Sequence, residues 1–230
     1  MNTADLTNSP AAPALRSWII AATMLPCIVS AQSNPTAEPK WPDFELVNTP
    51  AKSIWVDDVG SGFRSDVQSI GFSLGGYHGF AKCGSHEAHH MALTSFSYGS
   101  MLGPARGKNH WYHGNWEIQI ELFGGAQVDP DLDWIVGLTP HVRYNFATGT
   151  SLIPFVDFGA GITGTGIGSP DLGSTFQFNE QAGVGAHWFV KRDVAMTFSA
   201  LYMHISNAGI SKPNCGVNGV KFAIGLTFFF

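Results

Sequence analysis

Residues 134–146 read Trp-Ile-Val-Gly-Leu-Thr-Pro-His-Val-Arg-Tyr-Asn-Phe. The even-numbered positions are apolar or aromatic, while the odd-numbered positions include Thr139, His141, Arg143 and Asn145. Successive side chains of a β-strand point to opposite faces of the sheet. This alternation therefore predicts a strand with one apolar face and one polar face.

The same two-residue period recurs along most of the chain, in runs separated by turn residues. In each run the apolar positions alternate with small or polar residues, and aromatic residues gather near the ends. Together these runs predict about eight strands of about ten residues each. They cover 68–74, 91–102, 116–122, 134–146, 152–162, 178–190, 194–206 and 220–230, of which 91–102 is the least regular.

The non-apolar face of these strands indicates where the protein resides. Charged residues make up only 13% of the chain and 27 residues are Gly, so the polar face carries few ionisable groups, and these can pair inside a narrow barrel. An apolar outside and a polar inside are typical of transmembrane β-barrels. The ionisable residues of the polar face are Glu117, Glu121, Arg143, Asp157 and Lys221.

We therefore predict an all-β fold, an eight-stranded antiparallel transmembrane β-barrel of the bacterial outer membrane. The sheet has to close, because lipid offers no partners to unpaired backbone groups. The alternative is a soluble lipocalin-like barrel or sandwich, which would bury its apolar face and expose charge. The net charge of -5 gives no indication of a nucleic-acid partner.

Three segments are predicted along the chain. Residues 1–31 resemble a secretory signal peptide, with a basic residue before a short apolar run and small residues before a cleavage point after Ala31. Residues 32–60 are polar and contain several Pro, and we expect a periplasmic lead-in with one short packed piece around 54–56. Residues 61–230 form the predicted barrel domain.

Two cysteines, Cys83 and Cys215, remain once the signal peptide is removed. An even pair in an exported chain permits a disulfide, and two unpaired thiols fit the sequence equally well. Up-and-down strand order places the loops that hold them at the same, outer end of the barrel. It also makes the first and last strands neighbours.

The stretch Tyr-Met-His-Ile-Ser-Asn-Ala-Gly at 202–209 carries the chemistry. His204 and Ser206 are two residues apart, so a strand places both side chains on one face, at the end of an apolar row. A hydroxyl nucleophile and an imidazole base are two of the three groups that acyl transfer requires. The pattern predicts a catalytic pair that faces lipid.

The third group, which orients the base, is inferred from strand pairing. A hairpin that turns at 191–193 places His204 opposite residue 178 or 180, and Glu180 is the only charge in its outward row. A lone carboxylate that faces lipid is costly unless it has a partner. We predict that Glu180 accepts a hydrogen bond from His204; alternatively, it only reaches the polar headgroup zone.

The sequence His-x-Ser-Asn-Ala-Gly at 204–209, followed by Pro-Asn at 213–214, resembles the outer-membrane lipid A 3-O-deacylases, the bacterial acyloxyacyl hydrolase family. The resemblance implies hydrolysis of an ester-linked acyl chain of lipid A, with Ser206 as nucleophile, His204 as base, and neither metal nor cofactor. It also implies that Asn207, Gly209 and Asn214 lie near the oxyanion-stabilising loop.

One position departs from the family pattern. Characterised members carry the third catalytic carboxylate in the last strand, at the position of Asn218. An amide can accept a hydrogen bond from His, but it cannot offset the charge of an imidazolium ion. The alternative function is therefore a non-catalytic small outer-membrane barrel with a binding or envelope-stabilising role. The expected partners are lipopolysaccharide and outer-membrane lipid, and the sequence leaves a homodimer open.

A second motif, His-Glu-Ala-His-His at 86–90, matches the H-E-x-x-H string of zinc proteases. That chemistry requires a helix, which brings positions i and i+4 to one face. Here the string follows Cys83 in a predicted surface loop beside a strand. The context favours incidental metal binding over a proteolytic centre.

Overall fold

The computed structural model describes residues 52–82 and 84–230. Eight antiparallel strands form a closed barrel in which each strand pairs with its neighbours in sequence, and the first pairs with the last. The strands are β1 (Gln68–Gly79), β2 (His90–Met101), β3 (Gly114–Asp129), β4 (Asp133–Phe146), β5 (Leu152–Thr165), β6 (Phe176–Phe189), β7 (Val194–Ser206) and β8 (Val217–Phe229).

The predicted fold is confirmed, and every alternating run lies within or largely overlaps one strand. The least regular run, 91–102, corresponds to β2. The strands contain 12 to 16 residues, somewhat more than the length of about ten residues that the alternating runs predicted. Among the described residues, the structure has no helix of the length and apolar character needed to cross a membrane.

The outer surface of the barrel is apolar. Phe72, Leu122 and Phe158 are 55%, 51% and 59% exposed, and they belong to an apolar surface to which all eight strands contribute. Exposed apolar area of this extent is costly in water, whereas hydrocarbon accommodates it. The side chains between them on each strand point inward, so the strand period separates a lipid-type surface from the lumen.

The lumen is filled in three layers. The middle layer is polar: Lys221 Nζ lies 2.7 Å from Glu121 Oε2, and His141 Nδ1 lies 2.7 Å from Asp157 Oδ1. Opposite charges therefore neutralise one another where water is scarce, as predicted for the ionisable residues of the inner face. The apolar layers at the two ends contain Tyr77, Met91, Leu93, Phe123, Ile135, Ile167, Leu172, Met203, Ile205 and Val217 at one end, and Ile54, Trp55, Phe63, Val67, Met101, Ile153, Phe189, Ala195 and Phe229 at the other.

Residues 52–67 close the second of these ends. Trp55 is 1% exposed, stacks on Phe63 with ring centroids 4.8 Å apart, and donates from Nε1 to the carbonyl oxygen of Arg192 at 2.8 Å. Phe63 in turn stacks on Phe229 at 5.1 Å. The expected packed piece around 54–56 is thus an aromatic plug in the barrel mouth.

We expect Trp55→Ala to destabilise the barrel by about 3–5 kcal/mol, because it removes the largest ring of this plug and leaves a cavity. Unfolding in urea, followed by circular dichroism in detergent micelles, measures the change. Val56→Ala is the matched control, since Val56 is 50% exposed. Equal midpoints for the two variants would contradict a packing role for the plug.

Candidate active site

His204 and Ser206 lie at the end of β7 that carries the β1–β2, β5–β6 and β7–β8 loops. The intervening side chains of Met203 and Ile205 are fully buried in the lumen, whereas His204 and Ser206 are partly exposed on the outer surface. The strand period therefore places the two residues on the membrane-type face. This is the face that the sequence predicted for them.

The pairing of β6 with β7 places Glu180 opposite His204, and Phe178 opposite Ser206. The predicted register of this hairpin is confirmed. Glu180 is exposed on the outer surface, and within the described part of the chain no hydrogen bond joins it to His204. The orienting role of Glu180 stays a prediction.

The ring of His204 instead contacts β8, where Asn218 lies opposite it in register. His204 Nδ1 is 2.8 Å from Asn218 Oδ1, and the hydroxyl of Tyr202 donates to the same oxygen at 2.7 Å. Asn218 is the position at which the sequence resemblance implied a carboxylate. The third position of the motif is therefore filled by a side chain that touches the imidazole.

Hydrogen-bond chemistry fixes which way the amide of Asn218 points. Asn218 Nδ2 lies 3.1 Å from the carbonyl oxygen of Lys82, which can only accept. The amide nitrogen must face that carbonyl, so the amide oxygen faces His204. The hydrogen bond therefore selects, for the neutral ring, the tautomer with the proton on Nδ1 and the lone pair of a general base on Nε2.

The same amide nitrogen makes a second hydrogen bond, to Ser85 Oγ at 2.7 Å. Ser85 Oγ donates in turn to the carbonyl oxygen of Gly216 at 2.6 Å. Asn218 is only 2% exposed although it lies on the outer side of β8, because residues of the β1–β2 loop cover it. Sequence reasoning missed Ser85, whose position in an aperiodic loop carries no signal.

Gly216 packs closely against the imidazole ring of His204. A Cβ atom on Gly216 would lie 2.7 Å from Cε1 of His204, and the residue has a positive φ of 82°. Both the close approach and the backbone conformation favour glycine. The ring of His204 thus rests on the backbone of the β7–β8 loop.

The other predicted support residues build the β7–β8 loop itself. Asn207 is fully buried; its Oδ1 accepts from the backbone N–H of Gly209 at 3.0 Å, and its own N–H donates to Asn214 Oδ1 at 2.8 Å. Ala208 and Gly209 both have positive φ, 53° and 81°. These contacts hold a tight turn directly after Ser206, and the predicted oxyanion role of the three residues stays a prediction.

Asp171, in the β5–β6 loop, joins the outer loops together. Its buried carboxylate accepts from the backbone N–H groups of His86 and Glu87 at 2.6 and 3.0 Å, and from His89 Nε2 at 2.9 Å. Its carbonyl oxygen accepts from the N–H of Cys215 at 2.9 Å. Burial raises the pKa of Asp171, but these donors outweigh it and hold the pKa below its ordinary value.

The H-E-x-x-H string does not form a zincin site. His86 bonds Asp171 through Nδ1 at 3.0 Å, whereas His90 is the first residue of β2 and lies against the ring of His78. Potential ligand atoms of His86, Asp171 and Cys215 lie within 4.8 Å of one another. The choice between a Cys83–Cys215 disulfide and two unpaired thiols stays open, because Cys83 lies outside the described residues.

Comparison with known proteins shows the family of the chain. The family model described as Lipid A 3-O-deacylase (PagL) matches residues 67–227, which include β1 to β7 and all of β8 except its last two residues. The chain belongs to this family. It is 33% identical over 85 residues to the lipid A deacylase PagL of Pseudomonas aeruginosa, an alignment that covers 36% of this chain and 46% of that protein.

Solved structures resemble the fold. The outer membrane enzyme PagL aligns with 70% of this chain and 98% of its own, at 16% identity and a TM-score of 0.48. Neisserial surface protein A aligns with 71% of this chain and 97% of its own, at 12% identity and a TM-score of 0.52. At this identity the likeness concerns the barrel alone.

We expect Asp171→Asn to loosen the β1–β2 loop, because a neutral amide accepts more weakly than a carboxylate. Hydrogen–deuterium exchange of the His86 and Glu87 amides measures the loss of protection. Since the pKa of Asp171 is lowered by folding, the wild-type protection should be complete above the ordinary carboxyl pKa of about 4 and should be lost only as the pH falls through the lower pKa of the folded state. The variant should show no such pH step, and a step of equal size would contradict the assignment.

Proposed function

We propose that this protein is an outer-membrane esterase that removes an ester-linked, 3-O acyl chain from the lipid A part of lipopolysaccharide. One observation carries the proposal: His204, oriented by a hydrogen bond from Nδ1, shares the apolar outer face of a closed barrel with Ser206, two residues further along β7. Family membership supports the same substrate class.

The position of the pair suits a substrate that never leaves the bilayer. Both ends of the described chain lie at the end of the barrel opposite the site, as in barrels whose termini are periplasmic. His204 and Ser206 then lie level with the outer leaflet. A lipopolysaccharide molecule can reach Ser206 by lateral diffusion, without entering the lumen.

The reaction proceeds in two steps, acylation of Ser206 and hydrolysis of the acyl-serine. His204 Nε2 takes the proton of Ser206 Oγ as the oxygen attacks the ester carbonyl, and then returns it to the sugar oxygen that leaves. His204 Nε2 then takes a proton from water as the water oxygen attacks the acyl-serine, and returns it to Ser206 Oγ as the acyl–oxygen bond breaks, which releases the fatty acid and restores the serine. Asn218 keeps the imidazole in the reactive tautomer throughout, and no metal or cofactor takes part.

In a triad that contains an aspartate, one residue both orients the histidine and carries the negative charge, whereas here we assign these two roles to different residues. Asn218 orients the ring but carries no charge, and the nearest carboxylate by strand register is Glu180, on the opposite side of His204. We assign to Glu180 the electrostatic part of the role, stabilisation of the imidazolium that forms in each step. Asn207, Gly209 and Asn214 hold the loop in which the oxyanion of the intermediate would be stabilised.

Mass spectrometry of lipid A from cells that express the chain tests the activity. The parent should remove one hydroxyacyl chain, and Ser206→Ala and His204→Ala should abolish the change, because each removes a group that handles the transferred proton. Unchanged lipid A beside a correctly inserted parent barrel would favour the alternative, a non-catalytic barrel, for which the amide at 218 is the supporting observation.

The division of labour between Asn218 and Glu180 has its own test. We expect Asn218→Ala to lower kcat about 100-fold through loss of the tautomer, and Glu180→Gln to lower it about tenfold through loss of charge, with little change in KM. Asp129→Asn is the matched control, since it removes an exposed carboxylate at the same end of the barrel. If Glu180→Gln behaves like Asp129→Asn, Glu180 has no catalytic role.

A further inference from the structure

The amide of Asn218 is restrained on every polar atom. Its oxygen accepts from His204 and Tyr202, and its nitrogen donates one hydrogen to the Lys82 carbonyl and the other to Ser85 Oγ. Both nitrogen partners belong to the β1–β2 loop, which lies 130 or more residues away in sequence. The orientation of a group on β8 is thus set by a loop at the other end of the chain.

Ser85 also connects the amide to the surface under the imidazole. Its hydroxyl accepts from Asn218 and donates to the carbonyl of Gly216, the residue against which the ring of His204 packs. These contacts form a closed circuit. Hydrogen bonds join His204 to Asn218, Asn218 to Ser85, and Ser85 to Gly216, and Gly216 packs against the ring of His204. Each hydrogen bond of the circuit therefore has a fixed donor and a fixed acceptor.

This circuit matches an amide and disfavours a carboxylate. With aspartate at 218, its second oxygen would face the Lys82 carbonyl at about 3 Å, and two acceptors without a proton between them repel. The β1–β2 loop is itself held in place, because Asp171 binds the N–H groups of His86 and Glu87 immediately after Ser85. The loop and residue 218 therefore form one unit.

We propose that Ser85 is a positioning residue of the active site, which acts through the amide of Asn218 to keep His204 in the base-competent tautomer. This inference rests on the proposed function. Ser85 does not touch the reacting atoms; it restrains the group that holds the base. The β1–β2 loop thus takes over the ordering that a carboxylate and its own partners provide elsewhere.

Steady-state kinetics of the full-length barrel in detergent, with lipopolysaccharide as substrate, test the proposal. We expect Ser85→Ala to lower kcat about tenfold with KM unchanged, and Ser85→Thr to restore most of it, because threonine keeps the hydroxyl. Ser73→Ala is the matched control, since Ser73 makes a serine hydrogen bond within the barrel wall, to Ser95 Oγ at 2.8 Å. Wild-type kcat for Ser85→Ala would overturn the proposal.

A double-mutant cycle separates positioning from folding. In the background of Asn218→Ala, Ser85→Ala should have no further effect on kcat, because the group it acts through is gone. An equal loss in both backgrounds would mean that Ser85 only stabilises the loop, and would overturn the proposal.

A tautomer measurement distinguishes failure of this inference from failure of the proposed function. The ¹⁵N-histidine spectrum of the intact barrel, with His204 assigned by its loss in His204→Gln, should show a single Nδ1–H tautomer in the parent and a mixture in Ser85→Ala. The comparison holds even if the parent leaves lipid A unchanged. A single tautomer in both proteins would overturn the inference.

Discussion

The pairing of β1 with β8 is the contact on which the rest of the molecule depends. Eleven residues of β1, from Ser69 to Gly79, lie in register with Phe229 to Gly219 of β8. Without this seam two strand edges would present unpaired backbone groups to lipid, where each costs several kcal/mol. The seam also brings the β1–β2 loop beside β8, and so creates the environment of Asn218. The pairing that closes the barrel therefore also brings together the residues that surround Asn218.

Closure fixes the inside as firmly as the outside. The lumen of an eight-stranded barrel is just wide enough to be filled by side chains, so its ionisable groups must satisfy one another. Arg143 Nε donates to Asp157 at 2.8 Å, and Lys221 reaches Glu121 from the opposite side of the lumen. Paired charges occupy the middle of the lumen, and buried apolar clusters occupy both of its ends. The proposed site, in contrast, lies on the outer face, where the end of β7 meets the loops.

The strands could be predicted because a period of two is a local property of the sequence, and one buried face enforces it. The opposition of Glu180 and His204 followed from hairpin arithmetic in the same way, because the 191–193 turn fixes the register. The direction of the His204 ring did not follow. Two strands flank β7, and only the side chains and loops around the ring decide whether it leans toward β6 or β8.

Asp171 and Ser85 could not be predicted, because their contacts join loops that are far apart in sequence and have no period. These contacts define the surroundings of residue 218, at which the resemblance implied a carboxylate. The side chain that fits best at position 218 depends on the hydrogen-bonding groups around it. These are a ring nitrogen on one side and a backbone carbonyl on the other. An amide, with an acceptor at one end and donors at the other, fits both, whereas a carboxylate fits only the first. In the proposed site, the orienting amide therefore lies on β8 and the proposed charge of Glu180 on β6, on the two sides of His204.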